Sequence, residues 1–402
     1  MNINTGLYFT HAWEQRTLGE VAEKLKSYSL SRDVETIKPT GYRYIHYGDI
    51  HKQVADLITS STQLPYIKYG NYIPLSQGDL VLADASEDYT GIAEPCVILD
   101  ESIDKIIAGL HTIALRPRNA ASLYLYYLLH TDKFKKFGNQ VGTGLKVFGI
   151  TFDNLSLFKT NMPSVPEQTA IGNFFRALDD TITLHKRKLD KLKVLKKAYL
   201  QKMFPQAGEI VPKVRFAGFT EPWEVRKLGE VVSVNPRSCL PDSFEYVDLE
   251  SVVETSLVTH RTEYKDTAPS RAQRVAKSGD VFFQMVRPYQ RNNYLFDLPF
   301  EKYVFSTGYA QLRPKMDSYF LLCKLQEENF VAEVLNHCTG TSYPAINSTD
   351  LTEIYINITI EESEQTVIGN FFRTLDNQIT AQKQKLDQLK QLKAAYLQKM
   401  FI

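Results

Sequence analysis

The chain repeats one long phrase. Residues 167–204 read EQTAIGNFFRALDDTITLHKRKLDKLKVLKKAYLQKMF and residues 364–401 read EQTVIGNFFRTLDNQITAQKQKLDQLKQLKAAYLQKMF, with 28 of 38 aligned positions identical. Each copy follows a larger segment of roughly equal length, so the chain is a tandem duplication. Two similar modules joined in this way can sit about an approximate twofold axis, an arrangement that suits a target with two ends of its own.

The phrase is helical. In the first copy Ile171, Phe174, Leu178, Ile182, Leu189, Leu192, Tyr199 and Met203 recur at threes and fours, with His185 in step. The second has Ile368, Phe371, Leu375, Ile379, Leu386, Leu389, Tyr396 and Met400. This is a narrow apolar seam with Lys, Gln and Asp around it. Pro166 and Pro205 mark the borders of the first copy, as proline does at helix ends. A narrow stripe on so long a helix needs a partner. That partner is either the core of the helix's own module or the second copy. The narrow seam with charge on several faces favours the second copy, and chain order makes the pairing antiparallel, since one helix leaves the first module and the other must return.

The larger modules match more faintly. Trp13-Glu14 and Leu18-Gly19-Glu20-Val21 answer Trp223-Glu224 and Leu228-Gly229-Glu230-Val231. Gly78-Asp79 answers Gly279-Asp280, Leu115-Arg116-Pro117 answers Leu312-Arg313-Pro314, and Gly142-Thr143-Gly144 answers Thr339-Gly340-Thr341. Between these anchors the modules diverge, the pattern of one scaffold carrying two specificities. Short β-rich runs such as 42–45, 79–82, 281–283 and 303–305 alternate with helical stretches at 122–136 and 319–335, which predicts an α+β module. Residues 205–219 have turn composition and link the first long helix to the second module. The predicted division is 1–160 for the first module, 161–205 for the first helix, 206–360 for linker and second module, and 361–402 for the second helix.

Charge narrows the function classes. The net charge is only +1, yet residues 167–204 hold nine Lys and Arg against four Asp and Glu, and 364–402 hold six against three. The basic excess therefore sits on the repeated helices. Four scattered cysteines form no CxxC pair, which argues against a disulfide scaffold or a zinc site. The first residues lack a signal-peptide pattern and no stretch approaches membrane-spanning length. The expectation is a cytoplasmic protein with reduced thiols and no membrane association.

Catalytic patterns are weak. Pro241-Asp242 followed by Glu263-Tyr264-Lys265 formally fits a PD…ExK metal nuclease. However, Glu263 lies in a polar stretch and the first module has no counterpart, so solvated loop charges explain it better. Asn235-Pro236-Arg237 lacks the residues of a base-gripping NPPY tetrad. There is no phosphate loop and no HExxH. The reading is a chain without catalytic residues or a metal site.

Recognition remains. Arg287, Tyr289, Arg291, Asn292 and Asn293 crowd one stretch of the second module, with Arg271 and Arg274 upstream and Tyr343 in the Gly-Thr loop. Arg and Asn pair bidentately with guanine and adenine edges. The first module offers Tyr42, Arg43, His46 and Lys52 near one turn, Ser86, Tyr89 and Thr90 after its Gly-Asp strand, and Lys146 in its own Gly-Thr loop. The alternative to DNA reading by these modules is a scaffolding or DNA-binding protein of other purpose.

The order module, long helix, module, long helix resembles the DNA-specificity subunit of type I restriction–modification systems. The residues that carry the resemblance are the Trp-Glu and Leu-Gly-Glu-Val opening of each module, the Gly-Asp strand, the Leu-Arg-Pro triplet, the Gly-Thr pair and the Glu-Gln helix start. It implies two target recognition domains, each reading half of a bipartite site in double-stranded DNA. The helices would form an antiparallel coiled-coil spacer with pseudo-twofold symmetry. Two modification methyltransferase subunits and two restriction subunits would dock on the chain, and S-adenosylmethionine, ATP and Mg²⁺ would belong to those partners, with no cofactor on this chain.

Overall fold

The computed structural model describes residues 12–87, 91–144, 148–300 and 302–401. The chain divides into two compact units. One contains the described residues up to His185 together with those from Lys385 onward; the other is Lys186–Gln384. Each unit therefore holds one module, one half of the first long helix and one half of the second.

The two modules share a framework. In the first, a five-stranded sheet runs Ala22–Leu25, Thr112–Pro117, Leu80–Ala83, Pro95–Ile98, Leu57–Ile58. A four-stranded sheet runs Lys105–Ala108, Tyr42–Ile45, Tyr66–Ile67, Glu35–Thr36. In the second, the corresponding sheets run Val232–Val234, Tyr309–Pro314, Val281–Gln284, Tyr294–Leu295, and Arg261–Tyr264, Ser243–Val247, Tyr303–Ser306, Ala272–Val275. The strands foreseen at the Gly-Asp and Tyr-rich runs all form. Each predicted module helix proves to be two: Ser122–Leu128 and Asp132–Val141, then Ser318–Leu325 and Glu328–Asn336. In the first module Thr131 makes the break, accepting from the Phe134 amide at 3.3 Å to cap the second helix.

The sequence anchors are structural. Asp79 is buried at the start of its strand, and Arg116 on the neighbouring strand grips it with bonds of 2.8 and 2.7 Å. Asp280 and Arg313 repeat this at 2.8 Å for both bonds. A buried carboxylate is tolerated only when its charge and lone pairs are met, and a bidentate guanidinium does both. The glycine before each aspartate has φ of +87° and +91°, which explains the Gly-Asp pairing.

The long helices are Val165–Lys202 and Glu362–Lys399, 38 residues each. Pro166 lies in the first turn, where its missing N–H is no loss. Within each unit their halves lie antiparallel. In the first, Phe174 meets the ring of Tyr396 at 5.3 Å and Asp179 pairs with Lys393 at 2.6 Å. In the second, Tyr199 meets Phe371 at 4.9 Å and Lys196 pairs with Asp376 at 2.6 Å. Since Phe371, Asp376, Lys393 and Tyr396 are the repeat equivalents of Phe174, Asp179, Lys196 and Tyr199, one pattern of contacts is made twice.

The seam is partly as read. Leu178, Leu189, Leu375, Leu386 and Leu389 are buried, while Ile182, Leu192, Ile379 and Tyr199 are half-buried. Tyr396 keeps 37% of its surface exposed and Phe174 keeps 40%. The fully buried aromatics are instead their neighbours Phe175 and Phe372, which the periodicity count passed over. They turn into the module cores, where Phe175 stacks with Phe401 and Phe372 faces Phe204. The helix is thus not a coiled-coil strand alone; its first half is also a core element of its module. Gly172 permits this, because a Cβ there would lie 2.8 Å from the Leu123 side chain.

The helix starts are fixed by the Glu-Gln pair. Gln168 accepts from the Ala121 amide at 3.0 Å, and Gln365 from the Asp317 amide at 3.1 Å. Glu167 accepts from the Trp13 indole at 3.3 Å. In the second unit the linker takes over this role, because Arg215 grips the buried Glu364 with bonds of 2.6 and 2.8 Å. The Trp223 indole N–H is left without a partner among the described residues.

These contacts rank the aromatics energetically. Phe372→Ala should destabilise the second unit by about 3–5 kcal/mol, whereas Phe174→Ala should cost the first no more than about 1 kcal/mol. Urea titrations followed through the fluorescence of Trp223 and Trp13 measure the two.

Candidate nucleic-acid interface

In both modules two divergent loops are tied together beyond the retained framework. In the first, Ala85–Ser86 pairs antiparallel with Phe148–Gly149, and Gly149 bridges back to Thr143. In the second, Val286 bridges to Ala345, and Ala345 bridges back to Thr339. The loop after the Gly-Asp strand and the loop after the Gly-Thr pair are therefore one surface in each module. This juxtaposition joins Arg287 to Tyr343, which lie far apart in sequence.

In the first module the predicted residues separate into two groups. Tyr42 is buried, its ring edge-on to Tyr69 and Tyr72. Arg43 donates to Asp104 at 2.6 Å, to the Tyr66 hydroxyl at 2.6 Å and to the Leu64 carbonyl, and stacks on the Tyr66 ring. His46 is buried and caps the helix Tyr47–His51 by accepting from the Gly48 amide at 3.1 Å. Burial and the nearby Arg32 push its pKa down, which favours the neutral acceptor form. These three hold their module together. Lys52 is exposed at the end of that helix, and Ser86 is buried in the paired loop. Both line a cleft of about 760 Å³ with Arg32, Tyr47, His51 and Lys135. The last four were missed in sequence because they are spread over a hundred residues without a motif. Tyr89, Thr90 and Lys146 lie outside the described residues.

In the second module Arg287 lies over the Tyr343 ring, 4.2 Å from its centroid. Tyr289 and Arg271 are exposed. Arg274 is half-buried with its Nε unpartnered, and burial lowers its pKa. Arg291 lines a groove of about 330 Å³ with Lys193 and Lys197, two helix lysines that no motif flagged. Asn292 accepts from the Glu254 amide at 2.8 Å, and the buried Asn293 accepts from the Gln284 amide at 2.9 Å. Both asparagine oxygens thus serve backbone amides of neighbouring segments of the module.

The nuclease-like residues do share one pair of strands: the Lys265 amide donates to the Asp242 carbonyl at 3.0 Å, and Glu263 pairs with Phe244. Glu263 stands on the strand Arg261–Tyr264, contrary to the expectation of a loop, and accepts from Arg261 at 2.8 Å. Among the described residues no three His, Cys, Asp or Glu gather as metal ligands do. No described helix is long and apolar enough to cross a membrane.

A profile of the type I restriction modification DNA specificity domain matches residues 11–194 and again 220–391. The chain belongs to this family, whose part is DNA recognition and not catalysis. It is 25% identical over 294 residues to the type I restriction enzyme MjaVIII specificity subunit of Methanocaldococcus jannaschii, covering 67% of each chain. Its fold is similar to the crystal structure of the type I restriction–modification S subunit from M. genitalium, with a TM-score of 0.62 at 15% identity over 100% of this chain and 98% of that one. A chain solved in work on complex assembly and conformational transition of the type I R-M system gives 0.54 at 19% identity over 96% of both chains.

One buried carboxyl lies at the edge of a neighbouring cleft that Arg291 and Lys197 also line. Burial pushes Glu327 up to about 7, against the pull of Lys324, whose Nζ lies 2.9 Å away. The folded state therefore binds this proton more tightly than the unfolded chain, and the contribution of Glu327 to stability rises as pH falls from about 8 towards 4.5. The expected outcome is that Glu327→Gln removes part of the acid stabilisation of the second unit. Urea midpoints at pH 8 and pH 5.5 for the two proteins give the difference directly.

Proposed function

We propose that each module reads one half of a bipartite site in double-stranded DNA. The observation that carries this is the repeated pairing of two divergent loops on a retained framework. The Asp79–Arg116 and Asp280–Arg313 clamps hold equivalent strands in place, so the loops beyond them change without moving the scaffold. On this reading Lys52, Ser86, Arg271, Arg287, Tyr289, Arg291 and Tyr343 face DNA, and the sequence reading adds Tyr89, Thr90 and Lys146, which lie outside the described residues. Tyr42, Arg43, His46, Arg274, Asn292 and Asn293 support them from behind. The module borders are 1–160 and 206–360.

The paired helices 161–205 and 361–402 act as the spacer between half-sites and as the docking surface for two methyltransferase and two restriction subunits. S-adenosylmethionine, ATP and Mg²⁺ belong to those partners, and the assembly works in the cytoplasm. The basic excess on the helices suits either DNA passing along them or acidic partner surfaces.

Exchanging residues 22–160 for the matching segment of a relative should change one half of the methylated motif and leave the other intact. A change in both halves overturns independent reading. Inserting one heptad at matching points of both helices keeps the seam and lengthens it by about 10 Å. The preferred gap should then grow by roughly three base pairs at about 3.4 Å each. It would also turn one half-site by about 100°, so affinity should fall. Sequencing of methylated sites in cells carrying the methyltransferase partner reads the gap, and an unchanged gap means that the helices serve docking alone.

A further inference from the structure

The two loop pairings share one register, and it agrees with the count from the Gly-Asp anchors of the two modules. Ser86 faces Phe148 in the first module's ladder, next to the pair Ala85–Gly149. In the second, Val286 pairs with Ala345, and the Arg287 amide donates to the Pro344 carbonyl at 2.7 Å. Ser86 and Arg287 thus occupy one framework position, filled by a small hydroxyl in one module and a long cation in the other.

The surroundings of Arg287 fit it for reading a base. Its backbone is left-handed, with φ of 54°, a conformation uncommon outside glycine, and the bond from its amide to the Pro344 carbonyl holds it there. Its guanidinium lies over a Tyr343 ring that remains 64% exposed. Nε is buried and without a partner, while the two terminal nitrogens are neither buried nor hydrogen-bonded among the described residues. By contrast Arg43, Arg116, Arg215, Arg261 and Arg313 are all committed to carboxylates. Stacking on an aromatic face fixes the plane of the guanidinium without neutralising it. What remains is an end-on fork of two donors, its plane set by the Tyr343 ring and its backbone by the bond to Pro344.

We infer that Arg287, planed by Tyr343, reads a guanine in the half-site of the second module, and that position 86/287 is the equivalent specificity position of both modules. This rests on the proposed reading of one half-site per module. Guanine O6 and N7 present two adjacent acceptors in the major groove, which match two donors. Adenine offers one acceptor and one donor there, so an all-donor fork rejects it. Tyr343 acts as a positioning residue. Ser86 has no such fork, and the half-site of the first module carries no guanine requirement from this position.

The test uses the full chain assembled with its methyltransferase partner. Methylated-motif sequencing first defines both half-sites, and the 22–160 exchange assigns them to modules. Binding is then measured on duplexes in which each guanine of the second half-site is replaced in turn by 7-deazaguanine, which lacks the N7 acceptor. One replacement should weaken wild-type binding about tenfold, and replacing that guanine by adenine should weaken it by about 5- to 150-fold. Both penalties should vanish in Arg287→Gln, shrink in Tyr343→Leu, and survive in part in Arg287→Lys, with the other half-site unchanged. The deazaguanine result on the wild-type protein needs no variant to fold. A second half-site without guanine, or equal penalties in wild type and Arg287→Gln, overturns the inference. A uniform loss in Arg287→Gln for all sequences, with the salt slope lowered by about one, makes Arg287 a phosphate contact and overturns it too. Absence of any bipartite motif would sink the parent reading and this inference with it.

Discussion

The aromatic residue at the end of each long helix closes a module core that the module cannot close itself. Phe401 lies 5.0 Å from Tyr124 and 5.8 Å from Phe175, so the far end of the chain completes the first unit. Phe204 does the same in the second, between Trp223, Phe320 and Phe372. A helix with an apolar stripe gains little on its own and forms stably only where that stripe is buried. Each unit therefore depends on both copies of the repeat, and the pairing of the helices is inseparable from the folding of the modules.

The same dependence explains why the repeated phrase stays so alike. Asp179 accepts from the Tyr127 hydroxyl at 2.8 Å and pairs with Lys393; Asp376 accepts from Tyr319 at 2.7 Å and pairs with Lys196. Asp179 and Asp376 thus have two duties each, one towards their own module and one towards the opposite helix. The loops have neither duty. Once the buried aspartate–arginine clamps hold the strands, loop residues are limited mainly by their own turns and caps, and a serine and an arginine, Ser86 and Arg287, stand at one ladder position.

Much of this was legible in the chain. The repeat, its helical period and the antiparallel return follow from spacing and order, and the Gly-Asp and Leu-Arg-Pro anchors signalled a shared framework. The site was less legible. Arg43 reads as a DNA contact by residue type, yet Asp104, Leu64 and Tyr66 surround it, since partners at sequence distances of 21 to 61 leave no local mark. His46 and Asn293 likewise turn inward to satisfy backbone amides. Phe174 and Phe175 are adjacent, and periodicity cannot decide which faces the core when a helix is buried on two sides.

The sequence by itself determined the duplication, the two long helices, their mutual pairing and the strands that carry the modules. Those features depend on local spacing and on self-similarity, both of which are properties of the chain in one dimension. Only the tertiary structure decided which polar residues are free to meet a ligand. A guanidinium is committed or available according to what folds next to it: Asp280 beside Arg313, and the ring of Tyr343 beside Arg287. That choice is made by contacts between distant segments in a low-dielectric setting, where an unpaired charge is costly and a partner is found wherever the fold supplies one.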